Sequence, residues 1–142
     1  MLGLALLAVT AAQALLAPMP DAKEVTRTPP MEFMGFHVPL NCPDSGEVLQ
    51  FYRPRLEAEG YTLCGKGGVE WKSSPTVTGE VLSYQSIFVN DATRKAILVS
   101  ASCDLTNGRT SATEQSVSLT LLHDRSTPDL ERTFQVSCAP AR

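Results

Sequence analysis

The residues able to do chemistry are few: Cys42, Cys64, Cys103 and Cys138, His37 and His123, and fifteen carboxylates. The cysteines carry the sharpest signal. An even number of them in an exported chain reads as disulfides, and four allow three connectivities. Cys42 stands just before the expected helix, and Cys64 lies on the strand expected to return along it. Cys103 ends one expected strand, and Cys138 ends a segment expected to run back beside the next strand of that hairpin. The expected bridges are therefore Cys42–Cys64 and Cys103–Cys138, each contributing roughly 3–4 kcal/mol where chain entropy dominates.

The alternative uses of these side chains find little support. There is no C-x-x-C, the cysteine spacings match no zinc module, and the two histidines fall on separate expected strands. No metal and no cofactor is expected, and a thiol nucleophile paired with histidine has no spacing in its favour. Asp21, Asp44, Asp91, Asp104, Asp124 and Asp129 occupy turn and cap contexts, where aspartate is structurally favoured. Glu57 and Glu59 read as a solvated helix face. Nothing in the sequence places a serine beside His123, so Ser-His-Asp chemistry is not supported. The Cys-Gly-Lys-Gly-Gly run at 64–68 lacks the spacing of a phosphate loop and no helix follows it, so it reads as a hairpin turn. No catalytic residue is expected, and the chain reads as non-enzymatic.

What remains is a surface. Ser100 and Ser102 on one expected strand, with Ser116, Ser118 and Thr120 on the next, alternate away from the apolar positions. Ser83 or Ser86 extends the set. This face carries almost no charge. It is either the wet side of a sheet or a docking surface for a protein, a glycan or a second copy, and its strands could also pair at an exposed edge. Trp71, beside the loop at 73–78, is a candidate aromatic anchor or a cap on the core.

The element that must organise these residues is a helix over 44–59. Asp44 reads as its N-cap, with Glu47 completing a capping box and favouring the dipole. Val48, Leu49, Tyr52 and Leu56 form one apolar stripe, with Phe51 at its margin, and Gly60 supplies a left-handed stop. Pro54 predicts a kink near Arg53, or two short helical pieces. Beyond the helix the apolar period becomes two. Strands are expected near 61–64, 69–71, 80–90, 95–104 and 114–123, with turns between them, a loop at 73–78 and a strong Asn107-Gly108 turn. A first strand lies within 31–40, a single helical turn starts at Thr127, and 133–137 is a short last strand. The fold class is α+β: an antiparallel sheet of about five strands, with one main helix on one face and the other face largely solvated.

The domain plan has three parts. Residues 1–17 are apolar and uncharged. At 1.5 Å per residue they reach only about 25 Å, short of a bilayer core. A secretory signal peptide over 1–14 fits best, with Ala12-Gln13-Ala14 as its cleavage site. A membrane anchor and a buried helix are the alternatives, and no stable membrane span is expected in the mature chain. Residues 15–30 form a proline-rich extended lead-in, and 31–142 a single domain. The 142-residue chain is 43% hydrophobic, enough for a real core. Its net charge of −3, with scattered lysines and arginines, excludes an electrostatic case for nucleic acid.

From Pro20-Asp21-Ala22 to Tyr61 the chain resembles uncharacterised bacterial secreted and lipoprotein-type α+β domains. The likeness rests on Val48, Leu49, Phe51, Tyr52, Leu56, Gly60 and Tyr61, in the order V-L-x-F-Y-x-x-x-L-x-x-x-G-W/Y. Pro54 departs from that pattern. The resemblance implies a fold and brings no activity or site residue. The expected function is an exported, secreted or periplasmic, non-catalytic binding or structural module for a protein or glycan in the cell envelope or outside it. The alternatives are an inhibitor-type binder of an extracellular hydrolase, presenting the loop at 65–68 or 73–78, and a small enzyme or metal-binding protein.

Overall fold

The computed structural model describes residues 17–28 and 32–138; the expected signal and its cleavage site lie outside these residues. Seven strands form one sheet: β1 (Lys23–Thr28), β2 (Phe33–Val38), β3 (Thr62–Leu63), β4 (Lys72–Pro75), β5 (Gly79–Asn90), β6 (Lys95–Thr106) and β7 (Gln115–Leu122). Two helices accompany them, α1 (Glu47–Ala58) and α2 (Thr127–Phe134). The strand order is β1-β2-β7-β6-β5-β3, with β4 also paired to β5, and every pairing is antiparallel. The α+β class therefore holds, with more strands than the five expected and a second helix.

The meander expected from the turns is real for β5–β6–β7. The N-terminal hairpin then docks on β7, so α1 must carry the chain across the sheet from β2 to β3. The segment read as a lead-in supplies the edge strand β1, and Met19 before it is buried in the core. Tyr52 donates its hydroxyl hydrogen to the carbonyl of Ala17 at 2.6 Å, so the folded body begins by residue 17.

Side chains of α1 fill the face that β-alternation makes apolar. Val48, Leu49, Tyr52 and Leu56 meet Met34, Phe36, Phe88, Ile97, Val99, Val117 and Leu119 in one core. Helix α1 runs unbroken through Pro54, so the two-piece alternative does not hold. Pro54 and Gln50 are both on the exposed side of the helix, where water can reach the carbonyl that Pro54 leaves without a donor. Gly60, at φ 92°, ends the helix as expected. The amide of Tyr61 bonds the carbonyl of Leu56, and that of Gly60 bonds Glu57, which is a full Schellman closure.

The N-terminus of α1 departs from expectation. Gly46 is the N-cap, in the left-handed region, with no side-chain cap. Asp44 instead accepts from the amide of Gly46 at 2.8 Å and, through its other oxygen, from buried Gln115 Nε2 at 2.9 Å. The competing partner is Gln115, which the alternating pattern of β7 places on the core face with nothing apolar to offer. Among the described residues its Oε1 finds no partner.

The cysteine pairing also differs. The bridges are Cys42–Cys103 and Cys64–Cys138. Strand order decides this: Cys42 reaches the end of the sheet through its bridge with Ala112, while β3 takes Cys64 to the far edge beside β5. One bridge lies on each side of the sheet. Cys42–Cys103 packs with Leu105 beneath the entry to α1, and Cys64–Cys138 packs with Ile87, Val89 and Leu130 on the reverse side.

The reverse face is not simply solvated. Helix α2, a two-turn helix where a single turn was expected, is capped by Ser126 and seats buried Leu130 on Ile87, Val89 and Ala96. The tail after it is not a strand. It is held by the amide of Gly65 donating to Ser137 at 2.7 Å, by Cys138 bonding Glu131, and by the Cys64–Cys138 bridge.

Candidate functional site

Helix α2 covers only part of the reverse face, and the part left open is the hydroxyl surface. On β5, β6 and β7 the reverse-facing positions change character at one level. Ile87 and Leu98 stand on the covered side, and the next row is Gln85, Ser100 and Ser118, joined by Gly35 of β2. The row beyond that is Ser83, Ser102, Ser116 and His37. Thr120 marks the boundary, opposite Leu98 and Phe33. The structure thus brings Ser100, Ser102, Ser116, Ser118 and Thr120 together on one face. Ser83 belongs to that face; Ser86, buried among the α1-side positions of β5, does not.

A cavity of about 390 Å³ lies over these rows between β1 and β6, lined by Thr26, Phe33, Gly35, His37 and the four serines of β6 and β7, with Glu24 at its rim. The Phe33 ring folds over Gly35, whose missing side chain makes the room: a Cβ there would stand 3.2 Å from the ring. A second cavity of about 400 Å³ adjoins on the β5 side, between Ser83, Gln85, the 65–68 loop and Phe134.

His37 is the one histidine in the groove. Its Nδ1 lies 3.1 Å from Ser116 Oγ and 3.4 Å from Glu114, and its Nε2 lies 3.4 Å from Glu24. No local pattern announces this Ser–His contact, because it joins residues 79 positions apart. Ser116 on one ring nitrogen and Glu24 on the other follow the order of a catalytic triad, but Glu114 crowds the nitrogen that Ser116 meets, and Ser116 sits in a strand paired on both sides, where the ladders take up the backbone donors an oxyanion would need. His123 pairs with Glu32 at 3.5 Å, away from this groove. Among the described residues no group of three or more histidine, cysteine or acidic side chains could hold a metal ion.

Trp71 is not part of this face. Its indole nitrogen donates to the carbonyl of Asp44 at 2.8 Å, and its ring meets Tyr84 edge-on, centroids 4.7 Å apart. It caps the core on the α1 side. There burial pushes the Tyr84 hydroxyl up to about 12, only partly offset by the Leu49 amide that it accepts from. Burial also raises the pKa of the Tyr52 and Tyr61 hydroxyls, keeping them neutral.

No known protein family, curated protein or solved structure matches this chain.

Proposed function

We infer that the chain is an exported, non-catalytic binding module that docks a partner on the open half of its reverse face. One observation carries the reading: the apolar layer under α2 and the stapled tail ends at Ile87 of β5, Leu98 of β6 and Leu122 of β7, and the rows beyond these are hydroxyl and amide side chains with a cavity over them. A fold that needed this face only for solubility would use charged side chains, as β1 does with Lys23, Glu24 and Arg27.

Export draws on two disulfides with no free cysteine, which fit an oxidising compartment. No helix among the described residues is long and apolar enough to cross a membrane. The bonded carbonyl of Ala17 and the buried Met19 also leave cleavage after Ala14 compatible with the fold. The intact mass of protein from its native host tests this part. Loss of residues 1–14, with no thiol alkylated before reduction, is the expected result; four reactive thiols and a retained N-terminus overturn it.

Docking is tested by retention of the purified chain on envelope fractions of its host. Ser116→Arg should abolish retention, and Glu57→Arg on the exposed side of α1 should leave it unchanged.

A second reading, inhibition of an extracellular hydrolase, has one observation in its favour. The turn joining β4 to β5 lifts Val77 fully into solvent, and it lies within the 73–78 segment first read as a loop. Inhibition lost on Val77→Asp, and kept on Ser116→Arg, would select that reading.

A further inference from the structure

Resting on the docking reading, the chemistry of the groove identifies the class of occupant: we propose that the open half of the sheet binds a neutral, extended oligosaccharide laid across the strands, with the Phe33 ring as its stacking platform.

Three features of the groove argue for a sugar. The first is hydrogen-bonding character. Each serine hydroxyl both donates and accepts, and the Gln85 amide offers both roles as well, so the rows match a ligand whose hydroxyls do the same. The second is the ring. A pyranose presents C–H bonds on one face and hydroxyls around its edge; the electron-rich face of an aromatic ring attracts the former, and a hydroxyl-lined floor takes the latter. Phe33 provides that ring inside the groove, and Gly35 beneath it keeps the floor low enough for the ring to lie there. The third is shape. Strands spaced by about 4.8 Å place β2 and β5 roughly 14 Å apart, with one cavity over the serine rows and a second, flanked by Lys66, Glu70 and Lys72, at the β5 edge. That length suits several linked rings rather than one. At the β2 end, His37 with Glu24 and Glu114 offers the strong directional partners that fix a sugar's orientation.

The other occupants fit worse. Protein interfaces are depleted of serine and anchored by large aromatic or arginine side chains. The large hydrophobics left exposed among the described residues, Val25 and Val77, lie in the irregular stretch of β1 and at the β4–β5 turn, off this face. Pairing of a second copy along β1 is opposed by the register break between Lys23 and Thr26 and by the charges of that strand. Anionic ligands meet Glu24 and Glu114 at the rim.

The test is an amide-shift titration of the disulfide-bonded, ¹⁵N-labelled chain. The probes are hexasaccharides of β-1,4-glucose, α-1,4-glucose and β-1,4-N-acetylglucosamine, each added separately. At least one should give saturable shifts at Gly35, Ser100, Ser102, Ser116 and Ser118. Phe33→Ala should weaken that binding at least tenfold. Ser116→Arg, at an exposed position where folding is not at stake, should abolish it. No saturable shift with any of the three probes overturns the proposal, as do shifts confined to the α1 side or shifts that survive both substitutions. If the same amides instead broaden with protein concentration and the chain sediments as a dimer, the sugar proposal fails while docking through this face stands. If Ser116→Arg leaves envelope retention intact, the docking reading itself fails.

Discussion

The two faces of the sheet are built on different principles. On the α1 side, Tyr52, Phe88, Met34, Leu56 and Leu119 are fully buried, and the large polar side chains are tied: Tyr52 to Ala17, Trp71 to Asp44, and Gln115 through its Nε2 to Asn41 and Asp44, its Oε1 alone left without a partner among the described residues. On the reverse side the same strands carry an apolar half under α2 and a hydroxyl half under nothing from the described chain. The lesson is that one parity of a strand can serve two purposes, and that the point where its residues change type marks the edge of the covering layer. Along β6 that point falls between Leu98 and Ser100; along β5, between Ile87 and Gln85.

The comparison breaks most severely if the α1 side is not the dominant core. Phe88→Ala removes a fully buried ring and should cost about 4 kcal/mol in urea unfolding. The reverse layer should behave as a smaller, separable unit. Replacing Cys64 and Cys138 together by serine removes a bridge of sequence separation 74, about 4 kcal/mol on chain entropy alone, less whatever local release of the tail recovers. Limited proteolysis of that variant should cut within 125–138 while the protection of α1 persists. Simultaneous loss of both regions would mean that the two layers form one cooperative body.

A third effect distinguishes the faces by pH. All three tyrosines lie in the α1-side core, and burial raises the pKa of each. The folded state keeps these protons while the unfolded chain gives them up near pH 10. Stability is therefore complete below pH 10 and falls as pH rises toward 12. Tyr84, raised from 10.0 to about 12, accounts for roughly 2 kcal/mol of that loss by pH 11.5. Urea midpoints at pH 9 and pH 11.5 measure it. Tyr84→Phe should flatten the slope, and an unchanged slope in that variant would remove Tyr84 as its source.

Much of this was legible in the sequence, for physical reasons that can be named. The α1 stripe and its Gly60 stop follow from local periodicity, and so do the cores of β5, β6 and β7. What was illegible depends on strand order. Cys42 and Cys103 meet only because β2 docks on β7 rather than beside β3, and no local pattern encodes that crossover. Lys23–Thr28, charged and with all six side chains exposed, carries no apolar alternation, so its place at the edge was invisible. The serine face was legible as a pattern. Its boundary was not read, although Ile87, Val89, Leu98 and Leu122 share its parity and needed a cover: the face was expected to be solvated, and the amphipathic stretch after Ser126 that covers them was expected as one turn only. Gln115 gave no signal at all: a buried glutamine at a core position reads as a solvated one until its partners are known.

The smallest predicted effect is the most discriminating for the open half. Ser118 is flanked by Ser100 and Gly35 and is only partly exposed, yet no helix or tail of the described chain lies over it. If solvent is what it meets, Ser118→Ala exchanges a hydrated hydroxyl for a methyl, leaves no protein donor or acceptor unpaired, and should change stability by less than about 0.5 kcal/mol. The equivalent truncation on the covered half, Leu98→Ala, removes contacts with the Leu130 cluster and should cost on the order of 2 kcal/mol. A loss above about 1 kcal/mol for Ser118→Ala would mean that something in the mature protein already bonds that hydroxyl. The face would then be occupied rather than offered, and the contrast between the two halves would vanish.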